Sequence, residues 1–139
     1  MGLRCDKVVA HNIIMFFHII DDQPFICLFI SEVLSDLGHE TEVFTSPERY
    51  LEYLESPHYS APAALFSDIT MPVMNGYQLL DRVLSQHPKS QFVIMSGSDE
   101  IESEYRKSCS AFLRKPFNLS DIEDAVVSVS LSYQDNSAI

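Results

Sequence analysis

Five side chains in this sequence have types and positions that could do chemistry together. Asp21 and Asp22 are adjacent acids. Asp68 follows the apolar run 63–67, Ser96 follows the run 91–95, and Lys115 follows 111–114. Each sits where a short apolar stretch gives way to a turn. Carboxylates held close together repel, and without compensation at least one pKa rises. A divalent cation removes that conflict. All-oxygen ligation with room for water suits Mg²⁺, with Mn²⁺ as the alternative, better than Zn²⁺. Lys115 adds one more positive charge. A cation and an ammonium flanking one carboxylate make a receptor for a phosphoryl group. Asp68 is then the nucleophile that forms an aspartyl phosphate. The metal and Lys115 would stabilise the equatorial oxygens during in-line transfer, and the Ser96 hydroxyl would donate to one of them afterwards.

Taken singly, most of these residues say little. A paired Asp is more often a solvated strand end, a Lys-Pro is usually a turn, and a lone Ser carries almost nothing. The Asp68 segment is stronger. In Leu65-Phe66-Ser67-Asp68-Ile69-Thr70-Met71-Pro72-Val73-Met74-Asn75-Gly76 an apolar run delivers one carboxylate to a forced turn. Pro72 fixes its φ and lacks an N–H. Asn75-Gly76 reads as a turn dipeptide tolerant of positive φ.

The elements that must position these groups can be read in order. Met15–Ile20 reads as a strand buried on both faces, not as the apolar core of a signal peptide, since it contains His18 and ends in Asp21-Asp22. His18 reads as a packed imidazole. Pro24 opens a first helix over 24–37, with Ile26, Ile30, Leu34 and Leu37 at helical spacing and Gly38 at C′. This helix is apolar on more than one side and is expected to be well covered. Thr41–Thr45 is a second strand. Ser46-Pro47-Glu48 caps a second helix carrying Leu51 and Leu54. Ala63–Ser67 is the third strand. A third helix after Gly76 carries Leu79, Leu80, Val83 and Leu84 and ends at His87-Pro88. Gln91–Met95 is the fourth strand, and a weaker helix is predicted over 100–108. Ala111–Arg114 is the fifth strand. Ser120-Asp121-Ile122-Glu123 matches a capping box and starts a last helix with Ile122, Val126, Val129 and Leu131 inward. Five alternations of strand and helix specify an α/β fold: a doubly wound, five-stranded parallel sheet with helices on both faces. Strand-end residues then converge on one edge.

The 139 residues fit one domain. A net charge of -11 argues against direct nucleic-acid binding, which relies on Lys and Arg. No apolar run approaches a transmembrane helix, so no membrane insertion is expected. Three cysteines at no ligand spacing suggest reduced thiols and a cytoplasmic location.

With these motifs in order, the chain resembles the receiver domain of bacterial two-component response regulators. Asp-Asp follows the first strand, Asp-x-x-Met-Pro-x-Met-Asn-Gly the third, Ser-Gly the fourth and Lys-Pro-Phe the fifth. The resemblance implies a flavodoxin-like receiver fold with strand order 2-1-3-4-5, covering residues 14–132. Residues 1–13 are then an N-terminal extension and 133–139 a polar tail. It implies that Asp68 is the phosphoacceptor and that Asp22 binds Mg²⁺ directly, with Asp21 acting largely through water. The Thr70 backbone carbonyl is the third protein ligand. Ser96 is the switch hydroxyl and Phe112 the aromatic that changes rotamer with it. Lys115 pairs with the phosphoryl group, Gly97 keeps its path open, and Thr70 and Ser98 tune hydrolysis. The implied partners are a sensor histidine kinase or a histidine phosphotransfer protein. A downstream protein would dock on the face made by the fourth helix, fifth strand and fifth helix, and a homodimer is compatible with that face. No output region follows residue 132, which fits either a stand-alone switch or a piece of a longer protein.

Two departures fall on that output face. The interval from Ser96 to Lys115 is about three residues shorter than usual in the family, close to one helical turn. The approach to the fifth strand reads Ser108-Cys109-Ser110-Ala111. Two other function classes would leave different residues. A metal-dependent phosphohydrolase with an Asp nucleophile would carry a second acid two residues later, where this chain has Thr70. A non-phosphorylated module that only keeps the fold would lose acids or the lysine, and this chain keeps them all. The expectation is a phosphoacceptor switch, not a turnover enzyme.

Overall fold

Short apolar runs separated by amphipathic helices need both faces of a sheet covered, and the computed structural model of the chain has that architecture. It describes residues 13–98 and 103–137. Strands β1 (Phe16–Ile20), β2 (Glu40–Phe44), β3 (Ala64–Asp68), β4 (Phe92–Ser96) and β5 (Cys109–Arg114) pair in parallel in the order β2-β1-β3-β4-β5. Helices α1 (Pro24–Asp36), α2 (Pro47–Leu54), α3 (Gly76–Gln86) and α4 (Leu119–Ser137) connect or follow them, with a 3-10 segment at Ser103–Ser108.

Every residue of β3 and β4 is buried, which is why these strands read as unbroken apolar runs. Alternate side chains feed two cores. Phe17, Ile19, Ala64, Phe66, Val93 and Met95 pack with α1 and α4. Ile20, Leu65, Phe92 and Ile94 pack with α2, α3 and Tyr105. Burying each large side chain contributes about 1.5–3 kcal/mol. His18 faces the second side, fully buried. Its Nδ1 lies 2.8 Å from Tyr50 Oη, inside a ring of Phe44, Tyr50, Tyr53 and Tyr59.

Local signals account for the helix ends. Gly38 takes φ +93 after α1. The Gly38 and His39 N–H groups then return to Ser35 and Leu34 carbonyls at 2.9 Å, a Schellman closure. Ser46 Oγ accepts from Arg49 N–H at 3.1 Å to cap α2.

Several expectations need correction. Asn75-Gly76 is not a positive-φ turn. Asn75 has φ -76 and caps α3 in a capping box with Gln78. The cap of α4 is Asn118, not Ser120. Asn118 and Asp121 exchange backbone-to-side-chain bonds at 2.8 and 2.9 Å, so the reciprocal pair lies two residues earlier. Leu131 is exposed, although Ile122, Val126 and Val129 are buried as predicted. The first helix is not covered all round. It packs on the sheet with Ile30 and Leu34, and leaves Phe25 66% and Leu28 58% exposed. The helix predicted over 100–108 is a 3-10 segment from Ser103, and 100–102 lie outside the described residues. Helix α4 continues to Ser137, through most of the stretch expected as a tail. Of the expected extension, residues 1–12 lie outside the described residues and Ile13 packs on the first core. The Ser108–Ala111 departure appears as a register shift between β4 and β5. Phe92 pairs with Cys109 and Val93 with Ala111, so Ser110 is skipped.

Candidate functional site

Parallel strands end on one rim, and the turns that follow them bring the predicted residues together. The chain leaves β1 through Asp21-Asp22-Gln23 directly into α1. Asp21 is fully buried and Asp22 is exposed. Asp21 Oδ1 accepts the Gln23 N–H at 2.9 Å, and its backbone oxygen accepts the Cys27 S–H at 3.4 Å. The entry to α1 therefore fixes this carboxylate. Asp68 ends β3, is 4% exposed, and accepts the Thr70 N–H on Oδ1 at 3.1 Å.

Lys115 follows β5. Its N–H donates to the Ser96 carbonyl at 2.7 Å, which extends the β4–β5 ladder to the rim. Its side chain crosses to the acids. Nζ donates to Asp21 Oδ2 at 2.8 Å and lies 3.3 Å from Asp68 Oδ2. Asp21, Asp22 and Asp68 each offer an oxygen within 4.8 Å of the others. Ser96 is 3% exposed, and its Oγ accepts the Ser98 N–H at 3.0 Å. Thr70, Gly97 and Ser98 are exposed. A Cβ at Gly97 would meet nothing within 4 Å, so the space outside Ser96 is open. Phe112 is apart from this cluster. It sits on the edge strand β5 beside Ile94, half-buried against the core of α2 and α3.

Burial pushes the Asp68 carboxyl above the ordinary carboxylate range, and the charge on Asp21 adds to the effect. The Thr70 N–H and Lys115 oppose it without cancelling it. Burial also works against the charge on Lys115, but Asp21 and Asp68 outweigh it and hold the ammonium above its usual range. Three carboxylates face one ammonium, and two of the three are buried. That donor set fits a hard divalent cation, which supplies the missing positive charge. It does not favour zinc. The grouped ligands are all carboxylates, and the nearby Cys27 thiol, which burial pushes up to about 11, is not among them.

Two contributors, Gln23 and Tyr105, have no motif to announce them, and Gly76 lies in a motif that reads as a turn and does not state its role. Gln23 N–H holds Asp21. Gly76 lies against the Asp68 backbone, with an added Cβ only 2.5 Å from Asp68 O. Tyr105 reaches from the 3-10 segment to α3, where its hydroxyl meets Asp81. The signal for Tyr105 was an isolated aromatic in a polar stretch.

Comparison with known proteins follows this geometry. Residues 17–127 match the response regulator receiver domain family. The chain is 32% identical over 114 residues to the DNA-binding transcriptional regulator NtrC of Klebsiella pneumoniae, covering 80% of this chain and 23% of that protein. It is 25% identical over 111 residues to the chemotaxis protein CheY of Listeria monocytogenes, covering 78% and 92%. A crystal structure of NtrX from Brucella abortus in complex with ATP superposes with a TM-score of 0.76 at 26% identity, covering 91% of this chain and 29% of that one. This chain thus spans about a quarter of the length of NtrC. No described helix is long and apolar enough to cross a membrane. On the matched family, the shared sheet order and the acids and lysine gathered on its rim, the chain belongs to the response regulator receiver domain family.

Proposed function

We propose that this chain is a phosphorylation-controlled switch that accepts a phosphoryl group on Asp68 from the phosphohistidine of a sensor histidine kinase or a histidine phosphotransfer protein. The observation that carries this reading is the position of Lys115 Nζ, 2.8 Å from Asp21 and 3.3 Å from Asp68, over a rim that holds a third acid. Asp21, Asp22, Asp68 and the Thr70 carbonyl would hold Mg²⁺, which when bound neutralises charge on the phosphoryl oxygens. Mn²⁺ has the same preference for oxygen donors.

An Asp68 oxygen attacks phosphorus, the P–O bond forms, and the P–N bond to the donor imidazole breaks with its electron pair leaving on nitrogen. Lys115 follows the charge as it moves from carboxylate to phosphoryl oxygens. Ser96 Oγ accepts from Ser98 N–H and still has its own hydrogen to donate to a phosphoryl oxygen. As Ser96 turns inward, Phe112 gains room to follow, and the surface near β5 changes. Thr70 and Ser98, both exposed at the mouth, govern how readily water reaches the phosphoaspartate. Thr70 stands where a phosphohydrolase would place a second acid, which supports a switch over a turnover enzyme. Output is through protein contacts at the surface of the 3-10 segment, β5 and α4. The free thiols Cys27 and Cys109 fit a reducing compartment, the cytoplasm.

The phosphodonor docks on the open side of α1. This helix starts right after Asp21-Asp22-Gln23 and exposes Phe25, Leu28 and Phe29. Phe29 stacks on Phe117 at 6.4 Å, so the apolar face continues onto the loop that follows Lys115.

Incubation with acetyl phosphate and Mg²⁺, followed by intact-mass measurement, tests the assignment. One added phosphoryl group on the wild type and none on Asp68→Ala is expected. An unmodified wild type, or an equally modified Asp68→Ala, overturns it.

A further inference from the structure

A 3-10 segment of six residues holds itself together poorly, since runs beyond three or four residues are uncommon. Among its described side chains, Tyr105 is the buried one that anchors it. Tyr105 is 6% exposed. Its ring stacks on Tyr77 with centroids 4.5 Å apart and planes at 23°. Its hydroxyl donates to the Asp81 carboxylate, 2.9 Å from Oδ1 and 3.1 Å from Oδ2. Tyr77 and Asp81 are four residues apart on α3 and share a face. Tyr105 is therefore gripped along its whole length by two successive turns of one helix.

The end of α3 that makes this grip is the end seated on the phosphoacceptor loop. Gly76 N–H donates to Ile69 O at 3.1 Å, and Gly76 is packed against the Asp68 carbonyl. Tyr77 is the next residue. From the other side, Phe112 packs on the same core cluster as Tyr105. Tyr105 thus links the 3-10 segment to the helix end that abuts Asp68, in the core cluster that Phe112 also joins.

We propose that Tyr105 is the latch that regulates the Asp68 site: it holds residues 103–108 on α3 in the unphosphorylated protein, and phosphorylation releases it. The proposal rests on the reading of Asp68 as phosphoacceptor. The latch has two discrete states. The phenol is either held on α3 by Asp81, with the Glu104 carboxylate of its own segment also beside it, or turned out to solvent, and Asp81 is exposed enough for water to take over its oxygens. Release puts an aromatic ring on the output surface. By linkage, weakening the latch shifts the unphosphorylated protein toward the released state.

Tyr105→Phe keeps the ring and removes the hydroxyl. Hydrogen exchange of the full chain, read over 103–108, is measured with and without acetyl phosphate and Mg²⁺, alongside intact mass. In the wild type, exchange over 103–108 is expected to rise about tenfold on phosphorylation, the scale set by losing one hydrogen bond to a charged group. Tyr105→Phe is expected to show that rise without acetyl phosphate, with β3 and β4 protected as in the wild type and Asp68 still modified. Asp81→Ala, a change at an exposed position, is expected to reproduce it. Unchanged exchange over 103–108 in both variants, or slower exchange there in the phosphorylated wild type, overturns the latch. So does loosening by both variants that is equal in β3, β4 and 103–108. Failure of wild-type Asp68 to accept a phosphoryl group overturns the phosphoacceptor reading instead, and the unphosphorylated comparison still decides whether Tyr105 restrains the segment.

Discussion

The Cβ that any other residue would carry at position 76 falls 2.5 Å from the backbone oxygen of Asp68. It would also lie 2.6 Å from Ile69 Cα. Backbone atoms cannot swing aside as a side-chain tip can. Helix α3 and the end of β3 are therefore in direct backbone contact, and the carboxylate of Asp68 is aimed from that contact.

Gly76→Ala separates this constraint from helix propensity. Propensity alone favours Ala by about 1 kcal/mol inside a helix. Overpacking against a fixed neighbour costs about 1–3 kcal/mol. The contact should win, with a net loss of up to about 2 kcal/mol in urea denaturation and slower phosphorylation by acetyl phosphate. A variant as stable and as reactive as the wild type would mean that the loop yields easily.

The sheet and its rim were legible in the sequence for a physical reason. Strands such as Ala64–Asp68 and Phe92–Ser96 are buried on both faces, so they appear as plain apolar runs, and parallel order then forces Asp68, Ser96 and Lys115 to one edge. What was illegible depended on partners distant in sequence. Asn75-Gly76 has turn composition, yet Asn75 serves as a cap and Gly76 is required by Asp68. Asn118 and Ser120 both fit capping templates, and local pattern does not rank them. The two apolar sides of α1 look alike in sequence, and only packing decides that Phe25 and Leu28 stay open. Tyr105 has no periodic company, so nothing nearby points to Asp81.

Mg²⁺ should stabilise the fold, because the acid cluster proposed to hold it exists only when the rim is assembled. At ten times Kd, linkage gives about 1.4 kcal/mol. Asp22 is exposed, so Asp22→Asn should leave the metal-free melting temperature near that of the wild type and remove most of the Mg²⁺ increment. Thermal melts with and without Mg²⁺ check this, and an undiminished increment in Asp22→Asn would exclude that carboxylate as a ligand.

Lys115→Met removes the ammonium shared by Asp21 and Asp68 and leaves two buried carboxylates facing each other. Losing hydrogen bonds between charged groups costs about 1.5–3 kcal/mol. Mg²⁺ should recover part of that loss, so its stabilising effect should be larger in Lys115→Met than in the wild type. Denaturation in EDTA and in Mg²⁺ gives both numbers. Equal Mg²⁺ increments would mean that the lysine and the metal act independently.

Stability should fall as pH drops from about 6.5 toward 4. Burial pushes His18 down to about 4 from an ordinary 6.5, and burial also lowers His39, whose Nδ1 accepts the Met15 N–H at 3.0 Å. The unfolded chain then binds more protons than the native one across that window, so acid favours unfolding. For His18 the full effect is of order 3 kcal/mol. Asp68, raised by burial, works in the opposite sense as it protonates. His18→Gln cannot titrate and should flatten the curve between pH 6.5 and 4. An unchanged slope in that variant would assign the acid sensitivity elsewhere.

The open face of α1 predicts a split between large and small phosphodonors. Phe25 and Leu28 are exposed on the helix that begins right after Asp21-Asp22-Gln23, yet neither belongs to the acid cluster. A protein donor must rest on something while its phosphohistidine reaches Asp68, and an apolar surface beside the rim offers that support. Acetyl phosphate needs no such support. Phe25→Ser with Leu28→Ser should therefore slow transfer from an autophosphorylated histidine kinase by about tenfold or more, since a few central apolar contacts carry most of the energy of an interface. Modification by acetyl phosphate and the melting temperature should stay near wild type, because both side chains are already in water. If the two donors slow equally, the substitutions have reached the acid cluster itself. If neither slows, the donor docks elsewhere on the rim.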